Sequence, residues 1–74
     1  MARYKEADVY AFLNQHGCEY EGDRYATGQA WFTRDGHPFT IPDPVNGYFD
    51  ADVIDAIVAD RWLGTGPVPL TRYP

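Results

Sequence analysis

The chain has 74 residues, 45% apolar and 16% aromatic, enough for one small domain with a single core and too hydrophobic for a disordered segment. Its one cysteine, Cys18, excludes an intrachain disulfide and any zinc site built on two or more thiolates. A formal charge of −5 and a pI near 4.6 argue against direct contact with nucleic acid, whose phosphates call for lysine and arginine.

No apolar run approaches the ~18 residues of a membrane span. Met1-Ala2-Arg3-Tyr4-Lys5-Glu6 lacks the pattern of a signal peptide. The expectation is a cytoplasmic, monomeric protein with one domain over residues 1–64 and an extended C-terminal tail over 65–74.

Residues 6–16 are predicted to form the first helix. Val9, Phe12, Leu13 and His16 fall at helical spacing on one face. Glu6 and Asp8 sit in the first turn, where the helix dipole favours negative charge. Gly17 is placed to end the helix in a left-handed conformation, and Cys18 reads as a small buried thiol. Cys18–Tyr25 is predicted to be a strand, broken or turned at Gly22-Asp23, followed by a flexible connection at Ala26-Thr27-Gly28.

Gln29–Arg34 and His37–Pro42 read as two strands of a hairpin closed by a two-residue Asp35-Gly36 turn. That turn pairs Arg34 with His37, Phe32 with Phe39 and Ala30 with Ile41, so these six side chains share the face expected to meet the helices. The same register sends Gln29, Trp31, Thr33, Pro38, Thr40 and Pro42 to solvent. Trp31 is then either an exposed anchor for a partner or is covered by the tail. Pro38 lacks an N–H and marks its strand as a sheet edge.

Pro42-Asp43-Pro44-Val45-Asn46-Gly47 is rich in turn formers. Asp50 is predicted to cap a second helix running to about Trp62, with Tyr48 and Phe49 just before it. Val53, Ile54, Ile57, Val58 and Trp62 form the predicted buried stripe, with Asp52, Asp55 and Asp60 on the opposite arc. Gly64-Thr65-Gly66 should break the helix. The whole predicts an α+β domain of α-β-β-β-α order, a three-stranded antiparallel sheet packed on two helices.

This order, and several short stretches, give the chain a resemblance to the HicA toxin family (also called YcfA-like) with its double-stranded-RNA-binding-like fold. The resemblance covers roughly Tyr4–Leu63. It rests on His16-Gly17-Cys18 ending the first helix, Thr27-Gly28-Gln29 entering the hairpin, and Phe32-Thr33-Arg34-Asp35-Gly36 turning into Phe39-Thr40-Ile41-Pro42. The apolar pattern Val53-Ile54-Ile57-Val58 completes it. The resemblance implies an RNA-cleaving toxin with a catalytic histidine in a Gly-x-His pattern at the start of the second strand. Here Gln29 stands in that position, and an amide transfers no proton near neutral pH. The family's last helix is usually basic; here it carries Asp50, Asp52 and Asp55.

The charge points the same way. Asp43–Asp60 holds five aspartates and no lysine or arginine, while the rest of the chain holds six acids and six bases. The full −5 therefore sits in one stretch, a feature that bears on partners rather than on fold. The reading is a non-catalytic acidic protein that occupies the basic, nucleic-acid-binding surface of a partner, as phage anti-CRISPR proteins do by nucleic-acid mimicry. Asp43, Tyr48, Asp50, Asp52, Asp55 and Trp31 are the candidate contact residues, although Tyr48 and Phe49 can equally staple the loop to the helix start. The alternative is a HicA-type mRNA interferase, with His16 or His37 taking the missing histidine's role. No cofactor is expected. Asp50-x-Asp52 offers two oxygen ligands, but the glycine and the bidentate glutamate of a calcium loop are absent.

Overall fold

The computed structural model describes residues 1–25, 28–62 and 68–74, with side chains for all of these except 23–25 and 62. The expectations for Thr27, the Trp62 side chain and the Gly64-Thr65-Gly66 break lie outside the described residues. The elements run β1 (Arg3–Lys5), α1 (Glu6–Gln15), β2 (Glu19–Tyr25), β3 (Gly28–Phe32), β4 (Pro38–Ile41), β5 (Tyr48–Asp50) and α2 (Ala51–Trp62). The α+β class and the α-β-β-β-α order hold, with β2, β3 and β4 forming a three-stranded antiparallel sheet in which β4 is an edge. Two short strands are additional: β1 and β5 pair antiparallel, with Tyr4 opposite Phe49.

α1 buries Val9, Phe12 and Leu13 and carries Glu6 and Asp8 in its first turn. No side chain caps it; the Glu6 N–H donates to the Gly47 carbonyl at 2.9 Å, so a distant loop satisfies one of its orphan donors. Its other end closes by a Schellman motif. Gly17, at φ +79°, donates to the Asn14 carbonyl at 3.1 Å, and the Cys18 N–H donates to the Leu13 carbonyl at 2.9 Å. Cys18 is buried, and burial pushes its thiol pKa up, away from reactivity. β2 is not broken at Gly22; it continues to Tyr25 through register shifts on either side of Gly22, whose φ of +107° fits a bulge.

The hairpin register differs by one residue from the expectation. Gln29 faces Ile41, Ala30 faces Thr40, Trp31 faces Phe39 and Phe32 faces Pro38. Only Gly36 in the turn has positive φ, +83°, so the Asp35-Gly36 pair does not form a type I′ turn, which needs positive φ at both positions. The Gly36 N–H donates to the Thr33 carbonyl and the Thr33 N–H to the His37 carbonyl, both at 2.9 Å. That is a three-residue loop of Arg34, Asp35 and Gly36, with the glycine absorbing the bulge. The His37 N–H also donates to Thr33 Oγ1 at 3.1 Å, which braces the loop.

A one-residue slip exchanges the faces of a strand. Trp31, expected at solvent, is buried in the core beside Phe39 and Ile41, while Phe32 is half-buried and Arg34 is exposed. The gain is physical: the slip buries an indole in place of Phe32, leaves Ala30 buried as well, and removes Arg34 from the apolar face. Tyr10 of α1 stacks on Trp31 at 5.8 Å and Tyr20 leans on it at 5.3 Å, so Trp31 is not an exposed anchor for a partner.

Asp50 caps α2 as expected, its Oδ1 accepting the Asp52 N–H at 2.9 Å. The inward face of α2 is rotated from the predicted stripe: Ala51 and Ile54 are buried, Asp55 is half-buried and Val53 is 39% exposed. The tail lies on the domain. Val68 is buried in the core, Leu70 packs against it, and Tyr73 exchanges backbone hydrogen bonds with Arg3 on the free edge of β1.

Two substitutions check this register by chemical denaturation. Trp31→Ala should cost about 3–5 kcal/mol, most of the stability of so small a domain, where a solvent-facing tryptophan would cost about 0.5 kcal/mol or less. Gly36→Ala should cost about 1 kcal/mol and Gly36→Asn less, because nothing lies within 4 Å of an added Cβ and the whole penalty is that of the left-handed backbone.

Candidate protein-binding face

The acidic stretch divides into three structural situations. Asp43 is exposed in the loop before β5, and Asp50 and Asp52 flank the start of α2. Asp60 lies at the far end of that helix, with Arg61 Nε 3.7 Å from its carboxylate. A 12-residue helix is about 18 Å long, so Asp60 is separated from the others by that length.

Asp55 is turned inward, contrary to the expected solvent arc. Its Oδ1 accepts the Tyr4 hydroxyl at 2.6 Å and the Val68 N–H at 2.9 Å. Its Oδ2 accepts Arg72 Nη1 at 2.8 Å, and the same Nη1 donates to the Tyr4 oxygen at 2.9 Å. Arg72 Nη2 reaches Asp52 Oδ1 at 3.5 Å, a contact of little energetic weight because the Asp52 side chain is 89% exposed. One basic residue from the tail thus neutralises Asp55 and approaches Asp52. Asp55 belongs to an internal latch, not to an open acidic row.

The latch has an electrostatic signature. Burial alone would raise the Asp55 carboxyl, but hydrogen bonds from Tyr4, from the Val68 N–H and from Arg72 outweigh it and hold the carboxyl below its ordinary value. Burial, then the hydrogen bond and charge of Asp55, push the Tyr4 phenol up to about 12.

What remains open is a groove of about 400 Å³ between the N-terminal residues, the loop before β5 and the start of α2. Met1 (93% exposed), Val45 (70%) and Val53 (39%) line it with exposed apolar side chains. Asp43 and Asp50 stand on its rim, and neither takes part in an ion pair among the described residues. Arg3, the cation of the rim, is engaged elsewhere: it donates to the Pro74 carbonyl at 3.1 Å and 2.6 Å and lies over the Tyr48 ring at 4.3 Å. Tyr48 lines the same groove, half-buried, its other neighbour being the Tyr73 ring at 6.0 Å.

The groove owes its shape to the Asn46-Gly47 turn. Both residues have positive φ (+54° and +83°), as a type I′ turn requires, and Val45 and Tyr48 exchange backbone hydrogen bonds across it at 2.8 and 3.0 Å. Val45 thereby stands out at the tip of a tight hairpin. The Asn-Gly pair was the sequence signal for this feature.

Of the candidate contact residues, then, Asp43, Tyr48 and Asp50 share one groove and Asp52 lies next to it on α2. Asp55 is latched and Trp31 is buried. Met1, Val45 and Val53 were not among the expected contacts; scattered single apolar residues carry no signal until the fold gathers them. Gln29, at the position where the resemblance implies a catalytic histidine, is buried and spans two aromatic partners. Its Nε2 donates to the Tyr10 hydroxyl at 2.7 Å and its Oε1 accepts the Trp31 indole N–H at 3.1 Å.

No family model, curated protein or solved structure matches the chain. Among the described residues no group of three or more His, Cys, Asp or Glu side chains is placed to hold a metal ion, and no helix is long and apolar enough to cross a membrane.

The latch makes stability depend on pH at both ends. Asp55, with a depressed folded value, contributes stability that is present above an unfolded pKa of about 3.9 and lost as pH falls through the folded value. Tyr4 contributes stability present below an unfolded value of about 10 and lost as pH rises through about 12. Urea titrations should give a plateau from about pH 4 to 10 and a decline on either side, and Asp55→Asn should flatten the acid limb. Near neutral pH, Asp55→Ala should cost about 1–3 kcal/mol by orphaning the Tyr4 hydroxyl and the Val68 N–H, whereas Asp52→Ala should stay within about 0.5 kcal/mol.

Proposed function

We propose that the protein is a non-catalytic binding module whose groove takes a segment of a partner protein, an apolar side chain flanked by lysine or arginine. The carrying observation is the coincidence of apolar lining and acidic rim: Met1, Val45 and Val53 are exposed together, with Asp43 and Asp50 beside them and Asp52 adjacent. Apolar contact supplies affinity and the carboxylates supply orientation and steering toward a positive surface. Proteins that handle nucleic acid present such basic surfaces, and occupation of one by this module would compete with the nucleic acid. This keeps the inhibitory reading of the acidic chain but moves its weight from a row of aspartates to a groove. The ribonuclease alternative draws no support from Gln29, whose amide is already bonded on both sides.

The test is titration calorimetry with a synthetic peptide alternating leucine with lysine and arginine. Val53→Lys should weaken binding by about tenfold or more, and Asp43→Asn by a few-fold, with the latter loss shrinking at high salt. Asp60→Asn, at the other end of α2, should leave binding unchanged. Binding that is indifferent to Val53→Lys, or absent in the wild type, would refute the groove.

A further inference from the structure

A second concavity lies at the opposite end of α2 and shares no residue with the groove. It is a cleft of about 530 Å³ where the end of α1, the β3–β4 turn and the end of α2 converge. The chain has six Lys and Arg residues and two His. Two of those six, Arg34 and Arg61, and both histidines, His16 and His37, line this one cleft. With Asp35 and Asp60 also on its walls the cleft is formally neutral, which still sets it apart from a chain of net charge −5.

From this convergence we infer that the cleft binds the phosphate group of a small phosphorylated ligand. Guanidinium forks and imidazole N–H groups are donors suited to phosphate oxygens, an imidazole offering at least one N–H in either protonation state. They come from three separate elements, so they can surround a tetrahedral anion. The volume falls in the range of small-molecule sites and exceeds what a bare phosphate fills.

The four donors are exposed, and the backbone that carries them is ordered. The His37 N–H on Thr33 Oγ1 braces the turn from which Arg34 and His37 project. Arg34 crosses directly over Gly17: a Cβ built on that glycine would lie 3.1 Å from Arg34 Nε. Arg61 lies over the Phe39 ring at 5.9 Å. His16 packs against Phe12 with ring centroids 4.3 Å apart.

Two acids also line the cleft, Asp35 and Asp60. Asp60 is the nearer restraint, 3.7 Å from Arg61, but its side chain is 76% exposed, so this pair is weak and yields to a ligand with stronger hydrogen bonds. Capping α1 does not explain the cations. The carbonyls of Phe12, Leu13 and Asn14 already accept backbone N–H groups at the end of α1, so these three do not call for Arg34. A small ligand is favoured over RNA because, outside the cleft, the chain carries nine acids against four bases, a poor track for a nucleic-acid backbone.

The experiment is amide NMR titration of the full chain with inorganic phosphate, adenosine monophosphate, citrate and a single-stranded RNA oligonucleotide. Phosphate and the mononucleotide should both shift the amides of His16, Arg34–His37 and Arg61, and leave those of Val45 and Val53 still. Arg34→Gln should weaken the mononucleotide by about tenfold, the loss of one charge-assisted contact. Asp60→Asn should tighten it, a change that no purely structural role of the cations would produce. The inference is overturned if neither phosphate nor the mononucleotide shifts these amides, if citrate binds as well as phosphate, if RNA binds and the mononucleotide does not, or if Asp60→Asn weakens the mononucleotide.

Discussion

The fold is tied together at one phenol. Tyr4 is fully buried, lies in β1 and reaches α2 and the tail through a single oxygen. It donates to Asp55 and accepts from Arg72, while Asp55 in turn receives the Val68 N–H. Four residues spread from position 4 to position 72 thus close a loop of hydrogen bonds around the molecule. Such bonds contribute modestly when made, but each partner left alone in a low-dielectric site costs more than the bond supplied. The arrangement therefore acts as a unit. It holds the tail down, and the tail in turn places Val68 in the core and a bridging strand residue, Tyr73, along β1. Among the described side chains of α2, the latch adds a polar tie to the apolar contacts of Ala51, Ile54, Ile57 and Val58.

Two x-Gly pairs show what could and could not be read from the chain. The sequence predicts a two-residue turn at Asp35-Gly36 and only a loop around Asn46-Gly47. The structure reverses them. Asparagine adopts the left-handed conformation readily, so Asn46 takes positive φ and the tight hairpin forms there. Asp35 is spared it, because a three-residue loop asks positive φ of Gly36 alone. Local turn chemistry was close to indifferent at Asp35, and burial of Trp31 decided the matter. That is a tertiary preference, invisible in a four-residue window. The helices were legible for the opposite reason: Val9, Phe12 and Leu13, Gly17 as terminator, and Asp50 as cap each carry their instruction locally. β1 is not legible, since the polar-apolar-polar pattern of Arg3-Tyr4-Lys5 is too short to signal a strand.

The candidate site was half legible, and the reason lies in how charge was counted. Counting along the chain pooled five aspartates because no basic residue stands between them. Space supplies what sequence order withholds: Arg72 returns from 17 positions away to Asp55. Helical geometry does the rest. Asp55 stands one position after Ile54 and three before Val58, so the face that buries those residues draws Asp55 with it, while Asp52 stays in water. The apolar half of the groove had no sequence signature, because Met1, Val45 and Val53 belong to three different segments.

The start of α2 constrains what the remaining acids can do. Asp50 and Asp52 lie where the helix dipole is positive, so the folded protein stabilises them there without any partner. The same dipole offsets part of their field as felt by an approaching cation. Their attraction for a lysine or arginine is therefore smaller than their formal charge implies, and it weakens further in salt. Asp43, outside the helix, is not discounted in this way. In the binding proposed above, an acidic face of this kind would steer a partner but not hold it, so retention would fall to the exposed apolar residues of the groove. This is why Val53, exposed on the first turn of a helix that could have buried it, is the more telling residue. A mixed apolar and acidic surface selects for a partner segment that is both basic and hydrophobic, a narrower requirement than positive charge alone.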